Sequence, residues 1–241
     1  MRRAGAWLLA VVASLALAGG TRAGTAQVED YDAFWLWAGV KPQTVLAQAR
    51  TLYLLQSEVV PGDPPRLVAQ RPAVPRIDHA EVWMVVRVQT LAWPEPVYAQ
   101  VLAALARWRA SGNTVVGVQI DFDAATRHLD DYAAFLGDLR RRLPPDCRLG
   151  ITGLLDWSSH GDPAELAALA GVVDEVVLQI YQGRHVIPGY QEYLARLDRL
   201  ALAFRIGLLQ GGEWDAPSAL ADNPWFRGYV VFLLNPSPAT P

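Results

Sequence analysis

The segment Gly117-Val118-Gln119-Ile120-Asp121-Phe122-Asp123 sets an amide and two carboxylates at alternate positions of an apolar run. Side chains alternate along a strand, so Val118, Ile120 and Phe122 share one face and Gln119, Asp121 and Asp123 the other. The two carboxylates are then about 6 to 7 Å apart. Neighbouring carboxyls split their proton affinities, so one can hold a proton as a general acid while the other stays ionised. Asp123 is the candidate acid and Asp121 the group that tunes or orients it. The same pair with more oxygen ligands would suit a magnesium or calcium ion, which makes a cation-dependent hydrolase a third reading. Arg87, near the end of another apolar run, is placed to pair with Asp121 or to hold substrate.

Further polar and aromatic residues fall at the ends of apolar runs: Gln179 and Tyr181, Asp156 and Trp157, Glu213, and Asn235. Trp35 and Trp37 alternate with Phe34 and Leu36 and offer flat faces to a sugar ring, with Trp37 and Trp157 the candidate contacts. Asp156 or Glu213 facing Asp123 across a shared opening would make a two-carboxylate glycosidase, with their separation setting the stereochemistry. His79, His128, His160 and His185 lack the close spacing of metal ligands, and the single cysteine, Cys147, excludes both an intrachain disulfide and a Cys-based metal site. No metal or other cofactor is expected. Ser158-Ser159-His160 is not framed by the G-x-S-x-G elbow of a serine hydrolase.

Gly117 to Asp123 resembles the fourth-strand motif of chitinase-like family 18 glycosidases, roughly D-G-(I/V)-D-(I/L)-D-(W/F)-E. Asp123 stands where that family has its glutamate acid and Asp121 where it has the supporting aspartate. Gln119 replaces the first aspartate of the core D-x-D-x-E, and Asp123 is one methylene shorter than the glutamate. Leu178-Gln179-Ile180-Tyr181 resembles the same family's M-x-Y segment, whose tyrosine steadies the reacting N-acetyl group. The runs Val118–Asp123, Leu129–Tyr132, Phe135–Leu143, Leu149–Trp157 and Val176–Tyr181 are similar to a bacterial exported family known as domain of unknown function 3142. That resemblance implies a glycosidase-related barrel and assigns no reaction.

Eight apolar runs could position these residues: Phe34–Gly39, Leu52–Ser57, Val82–Val88, Val115–Asp121, Leu149–Leu155, Glu175–Tyr181, Arg205–Gln210 and Tyr229–Leu234. Helix-spaced apolar residues separate several of them, over Val97–Ala110, Tyr132–Leu143, Glu165–Ala170 and Tyr190–Leu202. Pro42–Ala49 and Pro217–Phe226 have room only for short helices, and proline-rich Glu58–Ala80 reads as a loop. The alternation predicts an α/β fold, a small (β/α)8 TIM-type barrel with an irregular second βα unit. An open doubly wound sheet would carry a glycine-rich turn after the first strand, and Ala38-Gly39-Val40-Lys41-Pro42 is not one.

At 241 residues, 52% hydrophobic and 19% charged, the chain is too apolar to stay disordered. A net charge of −3 with scattered basic residues does not suit nucleic acid. Arg2 and Arg3, the apolar stretch from Ala6 to Ala18 and the small residues after it read as a signal peptide over residues 1–23, too short in its apolar part to span a membrane. Residues 24–241 then form one exported barrel domain, periplasmic or extracellular, with no membrane attachment after cleavage. Its expected partner is carbohydrate, a polysaccharide or N-acetyl sugar, hydrolysed with Asp123 as acid and Gln119, Arg87, Gln179, Tyr181, Asp156, Trp157, Trp37 and Asn235 as candidate contacts. The alternative is a glycan-binding barrel without turnover, which Gln119 and the shortened acid motivate.

Overall fold

The computed structural model describes residues 24–71, 73–124 and 129–235, so the expected leader over residues 1–23 lies outside the described residues. Eight strands run parallel: β1 (Ala33–Leu36), β2 (Thr51–Val60), β3 (Glu81–Val88), β4 (Thr114–Asp121), β5 (Arg148–Leu154), β6 (Glu175–Gln179), β7 (Phe204–Leu209) and β8 (Phe226–Phe232). Each pairs with the next in chain order, and β1 pairs with both β2 and β8. The sheet is therefore closed, as the predicted barrel requires. The seam between β8 and β1 is short, with Val231 opposite Phe34 and Phe232 opposite Trp35.

A parallel barrel buries both faces of its strands, and β3 has the composition this demands. Val82, Met84 and Val86 pack outward into the large core under the helices, while Trp83 and Val85 join Ala33, Trp35, Tyr53, Leu55, Val177 and Val230 inside the barrel. The interior is filled by unequal partners. A Cβ on Gly117 would lie 2.4 Å from the Trp83 ring and 2.7 Å from the Arg148 carbonyl, and one on Gly150 would lie 3.0 Å from the same ring. Two glycines on adjoining strands thus leave the room that one indole occupies, and Tyr53 stacks on it with centroids 5.7 Å apart. Below this layer the Tyr53 hydroxyl donates to Glu175 Oε1 at 2.5 Å and Arg205 Nε donates to Glu175 Oε2 at 2.8 Å, so polar groups at the strand starts are mutually satisfied.

The helices are α1 (Glu95–Ala110), α2 (Leu129–Arg142), α3 (Trp157–His160), α4 (Pro163–Ala170) and α5 (Tyr190–Leu194). Two expectations need correction. The helix expected over Tyr190–Leu202 stops at Leu194 and gives way to a 3-10 turn at Leu197–Arg199. Leu197, Leu200 and Leu202 are all buried, and a spacing of three then two suits a tight turn followed by extended chain. The expected loop Glu58–Ala80 is partly a hairpin: β2 continues to Val60 and Arg66–Ala69 returns antiparallel along it. This hairpin takes the place of the second helix. Pro42–Ala49 and Pro217–Phe226 hold only 3-10 turns, at Thr44–Gln48 and Ser218–Leu220. No helix among the described residues is long and apolar enough to cross a membrane.

The packing around Trp83 makes Gly117→Ala an overpacking substitution, because the added methyl meets both a confined ring and a strand carbonyl. Its expected cost is about 2 kcal/mol or more in urea unfolding. Unfolding of the variant at an unchanged urea midpoint would show that the interior is not close-packed there.

Candidate functional site

Arg87 and Asp121 lie side by side in the β3–β4 register, at the C-terminal ends of their strands. Arg87 Nη1 donates to Asp121 Oδ2 at 3.1 Å and Nη2 donates to Asp123 Oδ2 at 3.4 Å. A third carboxylate, Glu58, stands 3.6 Å from Arg87 Nε and accepts from Gln89 at 2.7 Å and Gln70 at 3.2 Å. The Trp37 ring lies under the guanidinium, 5.0 Å from Cζ to centroid. One cation therefore serves three anions and an aromatic face.

Local backbone geometry explains why Glu58 is among them. The β2–β3 register shifts between Leu55 and Ser57, so the alternation skips a step and Glu58 pairs with Arg87. Strict alternation from Tyr53 and Leu55 would have put Ser57 inward instead. Glu58 is a site residue that the sequence reading missed, and the only signal for it was that β2 runs three residues beyond Ser57.

Asp121 and Asp123 differ sharply in surroundings. Asp121 is 1% exposed and accepts from Thr152 Oγ1 at 3.0 Å, whereas the Asp123 side chain is 64% exposed just beyond the strand. Burial pushes the Asp121 carboxyl up to about 6, outweighing the opposing pull of Arg87 and of the Thr152 hydrogen bond, while the charge on Asp123 adds to the rise. Burial likewise raises the Tyr181 and Tyr132 hydroxyls well above the usual tyrosine range, and the Asp121 charge adds to both. Tyr181 thus keeps its proton and remains available as a donor.

These groups open into a cleft of about 500 Å³ at the mouth of the barrel. Trp35, Trp37, Tyr181, Tyr193 and Phe232 supply its aromatic walls, and Arg87, Asp123, Asp156 and Gln179 its polar ones. A small hairpin, Tyr181–Gln182 against His185–Val186, rises from β6 and turns at Gly183, where φ is 60°. Gln182, Gly183 and Ile187 from this region complete that side of the cleft.

Six of the predicted residues line the cleft: Asp123, Arg87, Asp156, Gln179, Tyr181 and Trp37. Asp121 lies behind them and is joined to them through Arg87. Gln119 faces inward as expected but sits deeper, buried among Trp35, Tyr53 and Thr152, so it supports the floor and does not reach a ligand. Trp157 is corrected as a ligand contact. It opens α3, which carries the ring into the helix layer, where it is fully buried and its indole N–H donates to the Ala124 carbonyl at 3.1 Å. Asn235 is corrected too: its side chain accepts from the Lys41 amide at 2.8 Å and donates to the Gly39 carbonyl at 2.9 Å, tying the ends of β8 and β1 together. Glu213 pairs with Thr25 in a separate two-stranded piece and does not line the cleft.

No group of three or more metal-type side chains comes together among the described residues. The guanidinium of Arg87 itself spans Asp121 and Asp123, in the position where a bridging cation would have to sit.

Residues 78–193 match the model of a family described as Domain of unknown function (DUF3142). It is the family that the runs from Val118 to Tyr181 resemble in the sequence, and the matched stretch carries β3 to β6 with Arg87, Asp121, Asp123, Asp156, Gln179 and Tyr181. No curated protein matches the chain. Among solved structures, the spore cortex-lytic enzyme SleL of Bacillus cereus is similar with a TM-score of 0.50 at 13% identity, over 73% of this chain and 49% of that one. The chitinase domain of the spore coat protein CotE from Clostridium difficile gives 0.50 at 10% identity, over 74% and 65%. The xylanase and α-amylase inhibitor protein XAIP-II from Scadoxus multiflorus gives 0.51 at 12% identity, over 83% and 92%. The chain spans about half the length of the first of these and just under two thirds of the second. At such identities the likeness is one of fold alone, a closed (β/α)8 barrel.

The buried carboxyl predicts a pH dependence of stability. Asp121 binds its proton more tightly folded, at about 6, than unfolded, near 3.8, so between these values the native state holds the extra proton and stability falls as pH rises. The contribution is fully present below about 4 and is lost as pH passes through about 6, a change on the order of 3 kcal/mol. Urea unfolding of the parent and of Asp121→Asn from pH 4 to 8 measures it as the difference between the two profiles. Parallel profiles would mean that Asp121 does not titrate in this range.

Proposed function

We propose that this protein is an exported glycoside hydrolase-like barrel that acts on a polysaccharide or N-acetyl sugar held in the cleft. The observation that carries this reading is the pairing of an exposed carboxyl at the end of β4 with a buried one of raised proton affinity, both on Arg87 and both at the mouth of an aromatic cleft. Trp37, Phe232 and Tyr181 present apolar surface of the kind that packs against sugar rings. Asp123 gives its proton to the glycosidic oxygen as the bond to the departing sugar breaks, and water adds its hydroxyl to the anomeric carbon and returns its other proton to the Asp123 carboxylate. Asp121 acts through Arg87 as a positioning residue, setting where the guanidinium sits and how much of its charge Asp123 feels. Gln179 and the protonated Tyr181 hold the substrate. The leader over residues 1–23 directs export in this reading, so the protein works in the periplasm or outside the cell.

A second reading, a glycan-binding barrel without turnover, is favoured by one observation. Arg87 Nη2 donates to Asp123 Oδ2 at 3.4 Å, so the candidate acid already has a partner within the protein at one of its oxygens. The similar solved structures include both lytic and inhibitor proteins, one inhibitor in complex with trehalose.

Reducing-end release from bacterial and N-acetylated polysaccharides, measured on residues 24–241 and on Asp123→Asn, decides between the two. Hydrolysis by the parent that falls by about 100-fold or more in the variant, with glycan still bound, is the expected result. Glycan retained equally by both proteins without product would establish the binding barrel and remove the acid role from Asp123.

A further inference from the structure

Glu58, Asp121 and Asp123 share one cation, Arg87, and among the described residues no other basic side chain pairs with any of the three. Each nitrogen of the guanidinium faces a different carboxyl, Nε at 3.6 Å from Glu58, Nη1 at 3.1 Å from Asp121 and Nη2 at 3.4 Å from Asp123. With the Trp37 ring against one of its faces, the group delivers its charge along these edges. One positive charge divided among three carboxyls neutralises none of them fully.

Glu58 is the member of this group that lies outside the β4 motif, and it is held from two sides. Gln89 Nε2 donates to its Oε1 at 2.7 Å and Gln70 Nε2 donates to its Oε2 at 3.2 Å. Both glutamines are also fastened to β2 through their own backbones, on either side of Glu58. The Gln70 amide donates to the Gln56 carbonyl and the Gln89 amide to the Val59 carbonyl, each at 2.9 Å. Gln70 leaves the returning strand of the hairpin, and Arg71 pins that end by donating from Nε to the Leu55 carbonyl at 2.8 Å and from Nη2 to the Leu36 carbonyl at 3.4 Å. A helix in this position would cover the barrel equally well. The strand that runs on past Ser57 instead carries Glu58 to Arg87, and its returning partner supplies Gln70.

The other groups that face Asp121 bring no charge. Thr152 on β5 donates a hydroxyl, and Tyr132 on α2 and Tyr181 beyond β6 keep their protons, because burial raises both well above the usual tyrosine range. Glu58 and Asp123 are therefore the anions that draw on Arg87 in competition with Asp121.

We propose that Glu58, presented by the hairpin that replaces the second helix, is a positioning residue that acts through Arg87, holding the guanidinium from its Nε side and dividing its charge so that neither aspartate is fully neutralised. A role for Glu58 in hydrolysis rests on the carbohydrate reading of the cleft, whereas the division of charge does not. An element outside the β4 motif thereby sets how strongly the two aspartates are held.

Carboxyl carbon NMR titration of the parent, Glu58→Gln and Glu58→Ala tests this without any glycan, the Asp121 signal being assigned by its loss in Asp121→Asn. The parent midpoint is expected at about 6. With Glu58 neutral, Arg87 serves two carboxyls instead of three, so the Asp121 midpoint should fall by about half a pH unit or more in both variants. Glutamine keeps the shape of the side chain and removes its charge, so agreement between the two variants assigns the shift to charge. An unmoved or raised midpoint in Glu58→Gln, or a fall confined to Glu58→Ala, would overturn the role. On a polysaccharide that the parent cleaves, the pH–rate profile of Glu58→Gln should move toward acid by a similar amount. Absence of cleavage by the parent would count against the hydrolase reading alone, while the titration still decides for or against Glu58.

Discussion

The guanidinium of Arg87 is the point on which the mouth of the barrel depends. It lies against Glu58, Asp121 and Asp123 and over the ring of Trp37, so removing it would leave a buried carboxylate facing two others with no compensating charge. Breaking a buried ion pair by deleting one partner is far more costly than never having built it. The geometry around Arg87 is correspondingly constrained from several strands at once. β4 sets Asp121 beside it in register, the irregularity in β2 turns Glu58 toward it, and Thr152 on β5 holds the far side of the Asp121 carboxyl. A residue near the end of one strand thus couples the conformations of at least three others.

That concentration of charge is possible because the layers beneath it are dry and full. Trp83, seated against Gly117 and Gly150 and stacked on Tyr53, fills the barrel where two ordinary side chains would have met, and the Tyr53, Glu175 and Arg205 cluster satisfies the polar groups below. Gln119 and Thr152 form the transition between the apolar filling and the charged mouth. With no bulk water underneath, Asp121 loses hydration, and its raised proton affinity is a direct result of where the filling stops.

The sequence made the barrel legible because a parallel strand buried on both faces is a continuous apolar run, and all eight runs became strands with ends shifted by only a few residues. The alternation in β4 correctly turned Gln119 and Asp121 inward. Depth was not legible: period-two reasoning tells which way Gln119 points and not how far the cleft descends toward it. The rule failed at β2, where an extra residue in the register moved Glu58 inward, and at the β5–α3 junction, where the chain begins a helix immediately and carries Trp157 outward. Asn235, polar at a strand end like the others, is occupied by two backbone groups that only the closed ring brings near it.

The closing seam has a mechanical meaning of its own. β8 and β1 meet over the single step from Val231 to Phe232, reinforced by the Leu233 amide on the Trp35 carbonyl at 3.0 Å and by the side chain of Asn235. β2 and β3, by contrast, are paired along nearly their whole length. The ring therefore has one short weld. Trp35 and Trp37 stand on one side of that weld and Phe232 on the other, so a rigid molecule lying across all three rings would brace the join as a splint braces a fracture, coupling occupancy of the mouth to the resistance of the whole cylinder against springing open.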